Sequence, residues 1–227
     1  MVRSSIYEDI AKRTKGDIYI GVVGPVRTGK STFIKRFMEE MVLPNIADED
    51  ARARARDELP QSASGKTVMT AEPKFIPERG AHLKTAGGLN MNVRMVDCVG
   101  FPVEGALGAE ENGEARLVNT PWSEDKMEFS AAARLGTEKV MREHSTVGVV
   151  VSELPRASYA PAEEEIVAEM KKSGKPFILL INCKTPHSDE AQALGRALEE
   201  KYGVAVALVN CTELSAADIE GILTLLL

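Results

Sequence analysis

The sequence predicts an α/β protein with a mostly parallel six-stranded sheet, one antiparallel edge strand and helices on both faces. Three observations predict it. In the second half, the apolar runs Val147 to Val151, Phe177 to Ile181 and Val204 to Val209 alternate with helical patterns near Ala162 to Lys172, Asp189 to Tyr202 and Ala216 to Leu226. Such alternation reads as parallel strands joined by crossover helices. Near the start, the β-rich run Ile18 to Val23 stops at Gly24 and feeds a helical segment from Ser31 to about Met41. Between these regions, Lys74 to Ile76 and Met91 to Val96 read as two strands around Gly87-Gly88, a hairpin that supplies the antiparallel edge.

The other segments follow in order. Ser5 to Arg13 places Ile6, Ile10 and Ala11 on one helical face, so residues 1–15 are expected to form a short amphipathic helix ahead of a single domain over 16–227. Pro44 to Thr70 and a second stretch over about 98–130 hold no regular period and read as switch-like functional loops. A helix from about Phe129 to Glu143 follows.

The bulk properties limit the function. A chain of 227 residues that is 44% apolar supports one substantial core. A net charge of −6 and pI near 5.3 give no reason to bind nucleic acid, and acids closely flank the run Arg52-Ala-Arg-Ala-Arg56. No apolar stretch is long enough to span a bilayer, and the first residues lack the pattern of a secretion signal, so a soluble cytoplasmic protein is expected. Cys98, Cys183 and Cys211 are odd in number, lack metal-type spacing and adjoin strand ends, which predicts buried thiols. His82, His144 and His187 are scattered singly, and Trp122 reads as a loop's packing anchor.

The chemistry concentrates in two places. Gly24-Pro-Val-Arg-Thr-Gly29-Lys30-Ser31 satisfies G-x-x-x-x-G-K-[ST] in the strand-to-helix context that a phosphate-binding loop needs. Its glycines allow backbone N–H groups to surround phosphate oxygens, and the helix turns its positive end toward the same charge. The candidate cradle is Gly24, Pro25, Val26, Arg27, Thr28, Gly29, Lys30, Ser31 and Thr32. Lys30 supplies a point charge between the β- and γ-phosphates, and the Ser31 hydroxyl is a hard ligand for Mg²⁺. Asp97-Cys-Val-Gly100 follows a strand, so Asp97 stands at its C-terminal end, able to reach Mg²⁺ through a water. The Gly100 N–H is unobstructed toward a γ-phosphate. This is a P-loop nucleotide triphosphatase reading.

Three further positions refine it. Thr70, with Thr67 in reserve, ends the first loop and is the candidate to complete the Mg²⁺ shell and act in catalysis with Lys30 and Asp97. Phe101 stands where a water-orienting glutamine is common, so slow turnover is expected. Arg27, inside the loop, is either a solvent-facing side chain or an arginine finger supplied in cis. For the base, Asn182-Cys183-Lys184-Thr185 replaces the guanine-reading N-K-x-D; Asn182 and Lys184 remain as nucleoside contacts. Threonine cannot accept two hydrogen bonds from guanine, which makes adenine plausible.

The stretches GDIYIGVVGPVRTGKSTFIKRFMEEMVLPNI, RARDELPQSASGKTVMTAEPKF and VRMVDCVGFPVEGALG, with NTPW and EHSTVGVVV, resemble the ATPase domain of the stage IV sporulation protein A family of endospore-forming bacteria. The resemblance spans most of Ile6 to Asn182. It implies a domain of the translation-factor GTPase type that has switched to ATP, with Lys30, Asp97 and Thr70 as Walker A lysine, Walker B aspartate and sensor threonine. Ala71 stands where many relatives carry a second threonine, so the sensor role rests on Thr70. It further implies that hydrolysis drives polymerisation into a spore-coat basement layer on the mother-cell side of the forespore surface. Family members continue through a middle and a C-terminal domain that contacts a small membrane-anchoring peptide and other coat proteins; this chain is expected to be the nucleotidase domain alone. Two alternatives stay open: a GTP-binding switch, and a nucleotide-gated assembly module with negligible turnover.

Overall fold

The computed structural model describes residues 17–60, 72–84, 90–103, 109–111 and 113–226. The expected N-terminal helix, Thr67, Thr70 and the Gly87-Gly88 turn lie outside these residues. Along the chain run β1 (Asp17–Val23), α1 (Lys30–Phe37), α2 (Glu49–Asp57), β2 (Lys74–Lys84) and β3 (Asn90–Asp97). Four short strands follow: β4 (Glu110–Glu111), β5 (Glu114–Ala115), β6 (Leu117–Thr120) and β7 (Ser123–Glu128). The remainder is α3 (Phe129–Lys139), β8 (Val147–Glu153), α4 (Ala160–Ser173), β9 (Phe177–Asn182), α5 (Asp189–Tyr202), β10 (Val206–Val209) and α6 (Ala216–Leu226).

Six strands form one sheet in the order β10-β9-β8-β1-β3-β2. Every pairing is parallel except that of β2 with β3, which makes β2 the antiparallel edge. The central strand β8 is nearly all apolar because both faces are covered; Val147 to Ser152 are all buried. One face packs Phe33, Ile34 and Phe37 of α1 with Ile219, Ile222 and Leu223 of α6. The other packs Val140 and Met141, from the turn that extends α3, with Ile166 and Met170 of α4 and Leu198 of α5. Each fully buried side chain of this size stabilises by roughly 1.5–3 kcal/mol. The fold class read from the sequence is the one observed. No helix among the described residues is long and apolar enough to cross a membrane.

Two segments differ from the sequence reading. The Pro44 to Thr70 stretch contains α2, which the search for an apolar stripe misses because only Ala55 of its nine residues is buried. Its ends hold it instead. The Asp48 side chain accepts from the Ala51 N–H at 2.6 Å, Glu49 and Asp50 open the helix, and Arg54 and Arg56 close it against the macrodipole. The 98–130 stretch contains the β4–β5 and β6–β7 hairpins. Their strands are two to six residues long and β7 has no buried residue, so no long alternation marks them. β2 also outruns its three-residue reading, continuing through Pro77 and a register shift before Ala81.

Candidate nucleotide site

β1 delivers the chain to the C-terminal edge of the sheet, where the loop Gly24 to Gly29 turns it into α1. Gly24 has φ of +150°, and a Cβ there would lie 2.1 Å from the Val151 carbonyl oxygen. Glycine is therefore required for the loop to rest on the tip of β8. The Thr28 hydroxyl donates to that same Val151 oxygen at 2.8 Å and lies 3.0 Å from the Pro25 oxygen. Thr28 is thus a buried strut, its hydroxyl taken up by the fold and only its backbone left for a ligand. Arg27 is exposed at the loop's apex with φ of +65°, the one non-glycine residue with positive φ among the described residues. The amides of Lys30, Ser31 and Thr32 open α1, where a helix has no intrahelical partner for them.

Lys30 is 4% exposed, and its ammonium donates to the Pro25 oxygen at 2.6 Å. Burial pulls its pKa below the ordinary lysine value, against the pull of Cys98 and Asp97. Asp97, at the tip of β3, is pushed up by burial, opposed by the Lys30 ammonium and the Ser31 hydroxyl. Both charges are costly in a site that gives them too few partners. The Ser31 hydroxyl donates to Asp97 Oδ2 at 3.1 Å, whereas Asp97 Oδ1 is buried with no hydrogen-bond partner among the described residues. That orphaned hard oxygen beside a hydroxyl fits Mg²⁺. Among the described residues no group of three or more His, Cys, Asp or Glu side chains gathers to hold a metal, so such an ion would draw its other ligands from water and phosphate.

Gly100 closes the site from the β3 side. A Cβ there would lie 2.4 Å from the Gly24 oxygen and 2.5 Å from Lys30 Nζ, with φ at +100°. The next residue fastens this segment to the loop, since the Phe101 N–H donates to the Gly24 oxygen at 3.0 Å and the Val26 N–H to the Phe101 oxygen at 2.9 Å. The Phe101 ring is fully buried beneath the Arg134 guanidinium at 4.7 Å, and Arg134 is ion-paired to Glu165 of α4. Phe101 therefore cannot orient an attacking water from its side chain.

At the far end, Asn182 finishes β9, and its Oδ1 accepts from the Cys211 N–H at 3.0 Å. Its Nδ2 lies 2.7 Å from where a Gly29 Cβ would stand. Asn182 thus braces the loop after β10 and abuts the phosphate loop, while Lys184 and Thr185 are exposed beyond it. The three thiols are buried and free, as expected. The structure brings Gly24 to Thr32, Asp97, Gly100 and Asn182 to one edge. Sequence reasoning missed the Thr28 strut and Glu153, a half-buried carboxylate at the tip of β8; the one available signal was an acid closing an otherwise apolar run.

A strand, phosphate loop and helix facing an aspartate on the next strand define the class: a P-loop nucleoside triphosphatase of the α/β type. The whole chain, residues 1–227, matches the family described as "Stage IV sporulation protein A, ATPase domain". It belongs to that family. It is 53% identical over 228 residues to stage IV sporulation protein A of Clostridioides difficile (strain 630), and 49% identical over 229 residues to that of Bacillus subtilis (strain 168). Each match covers 98% of this chain and 46% of the relative, so the chain spans less than half the length of those relatives. Among solved structures it is similar to Aquifex aeolicus Era Y63A bound to GDP·AlF4⁻, with a TM-score of 0.55 and 14% identity over 93% of this chain and 57% of the other. Era in complex with MgGDPNP and nucleotides of 16S ribosomal RNA gives a TM-score of 0.52 and 14% identity over 92% of this chain and 56% of the other. At that identity the likeness shows the fold.

Proposed function

We infer that this chain binds ATP with Mg²⁺ and hydrolyses it slowly, and that its nucleotide state governs assembly of a larger spore-coat protein. The observation that carries the reading is the convergence of Lys30, Ser31, Asp97 and Gly100 at one sheet edge, with Asp97 Oδ1 left unpartnered. The amides that open α1 hold the phosphates, and the Lys30 ammonium spans the β- and γ-phosphates. Ser31 and Asp97 would hold Mg²⁺, with Thr70 as a third contributor. Bound there, the ion neutralises charge on the phosphate oxygens. The Gly100 N–H meets the γ-phosphate, and Arg27, exposed at the loop's apex, supplies transition-state charge in cis. Asn182 and Lys184 flank the nucleoside, and Thr185 in place of an aspartate disfavours guanine.

We further propose that this cycle is coupled to self-association, as the resemblance implies. Segments about 44–70 and 98–130 rearrange with the nucleotide, and hydrolysis drives polymerisation of a coat basement layer on the mother-cell side of the forespore surface. Contacts with other coat proteins and a small membrane-anchoring peptide, which the resemblance implies, would fall to parts of the relatives that this chain does not match. The burial of Phe101 favours a second reading, a nucleotide-gated assembly module with negligible turnover.

Phosphate release from ATP with Mg²⁺, compared with Lys30→Ala, separates the two. We expect slow release that Lys30→Ala lowers about 100-fold. Equal release by both proteins sinks the catalytic assignment, and tight ATP binding without release selects the second reading. In competition, GTP winning by about 100-fold over ATP overturns the reading of Thr185.

A further inference from the structure

Glu153 ends β8, the strand that lies between the phosphate loop's strand and β9. Two residues earlier, the Val151 oxygen receives the Thr28 hydroxyl, so the tip of β8 directly supports the phosphate loop. On its other side, Glu153 is the register partner of Asn182, and the Leu154 N–H donates to the Asn182 oxygen at 3.1 Å. Register partners in a parallel pair point to the same face of the sheet, so the Glu153 and Asn182 side chains share a face. Cys211, bonded to Asn182, is close enough that, after burial, the Glu153 charge is the next cause pushing its thiol up. Glu153 therefore stands between the phosphate cradle and the two loops after β9 and β10. A nucleoside whose phosphates sit on Lys30 must pass this position to reach those loops.

The carboxylate is half-buried, yet it has no hydrogen bond or ion pair among the described residues. Its pKa is raised by burial alone. A half-buried acceptor with no protein partner is open to a ligand's hydrogen bond. The acceptor that guanine-reading sites carry after β9 is meanwhile absent, Thr185 standing in its place.

We propose that Glu153 is the base-discriminating residue of this site, its carboxylate accepting a hydrogen bond from the 6-amino group of adenine. Placed opposite position 6 of the base, an ionised carboxylate, which only accepts, matches the amino group of adenine. The 6-oxo group of guanine or hypoxanthine would face it lone pair to lone pair, which is repulsive. Adenine preference then comes from two changes together: loss of the acid after β9 and gain of one at the tip of β8. The proposal rests on the nucleotide reading above and adds to it the residue that selects the base.

The test measures dissociation constants with Mg²⁺ for ATP, inosine triphosphate, 2′-deoxy-ATP and tripolyphosphate, using the full chain and its Glu153→Ala and Glu153→Gln variants. Melting curves confirm that each variant is folded. Loss of a hydrogen bond to a charged group predicts ATP binding weakened about 10-fold in Glu153→Ala. Inosine triphosphate, relieved of the repulsion, should bind more tightly, and tripolyphosphate should be unchanged. Glu153→Gln, whose amide can donate to a 6-oxo group, should narrow the gap between ATP and inosine triphosphate further. Unchanged ATP affinity in Glu153→Ala overturns the proposal, as does an equal loss for both purines. A loss for ATP that 2′-deoxy-ATP escapes assigns the contact to the ribose and overturns it too. Wild-type protein that binds none of the four overturns the nucleotide reading itself, a result distinct from each of these.

Discussion

The proposed phosphate end and the proposed nucleoside end of this site are built by different means. At the phosphate end, short-range chain geometry does the positioning: Gly24, Gly29 and Gly100 take positive φ, and Phe101 is fastened to the loop by two backbone hydrogen bonds. At the nucleoside end, side chains from separate strands do it, with Asn182 bonded to Cys211 and Glu153 beside them. A polyphosphate looks alike whichever base it carries, so a backbone cradle suffices for it. A base is distinguished by donors and acceptors at its edge, which backbone alone presents poorly and which strand tips can exchange. The same sheet edge can thus keep its phosphate chemistry while its base preference changes.

That division predicts where damage to turnover will be greatest. Gly100→Ala puts a Cβ 2.4 Å from the Gly24 oxygen, a backbone atom that cannot yield cheaply, at a φ unfavourable to alanine. The Phe101 fastening must distort and the Gly100 N–H shifts. We expect more than about 1 kcal/mol of destabilisation in denaturant melts. We also expect phosphate release to fall about 100-fold, as when an oriented donor is lost. Turnover at the wild-type rate in a folded Gly100→Ala protein would show that the backbone cradle is not decisive.

The two ends were also unequally legible in the sequence. Gly24 to Ser31 is a local string read from its strand-to-helix context, Asp97 to Gly100 gains its meaning from following that string, and the parallel sheet followed from apolar runs that both faces bury. Glu153 and Asn182 acquire their relation through the register of β8 with β9, a contact between positions 29 residues apart along the chain. No local pattern encodes it. Thr28 sits within the motif, yet its inward strut depends on the Val151 carbonyl 123 residues away. The helix α2 escaped for another reason, since its stability lies in caps and charge and, with only Ala55 buried, it carries no apolar stripe of helical period.

A change at the nucleoside end should be milder and of another kind. Asn182→Ala leaves the Cys211 N–H without the partner it has now and removes the side chain abutting Gly29. Stability should fall by about 1–2 kcal/mol. In kinetics, KM for ATP should rise while kcat stays near wild type, since the reacting phosphate is held elsewhere. A fall in kcat as deep as that of Gly100→Ala would erase the distinction between the two ends.

The smallest effect separates the ends by their thiols. Cys98 lies beside Lys30 and Asp97, and burial, partly offset by the Lys30 charge, pushes it up from 9.0 to about 11. Cys211 lies beside Asn182, where burial and then the Glu153 charge push it to about 12. Unfolded thiols release their protons near their ordinary value, so above pH 9 the unfolded chain holds fewer protons than the folded one, and stability falls as pH rises. The decline belongs to Cys98 until about pH 11 and to Cys211 until about pH 12. Denaturant midpoints followed from pH 8 upward should therefore fall less steeply in Cys98→Ala and in Cys211→Ala, with the Cys211 contribution persisting to higher pH. An unaltered slope in Cys98→Ala would mean that the phosphate end does not bury its thiol against ionisation, and that Lys30 and Asp97 share a wetter site than their packing indicates.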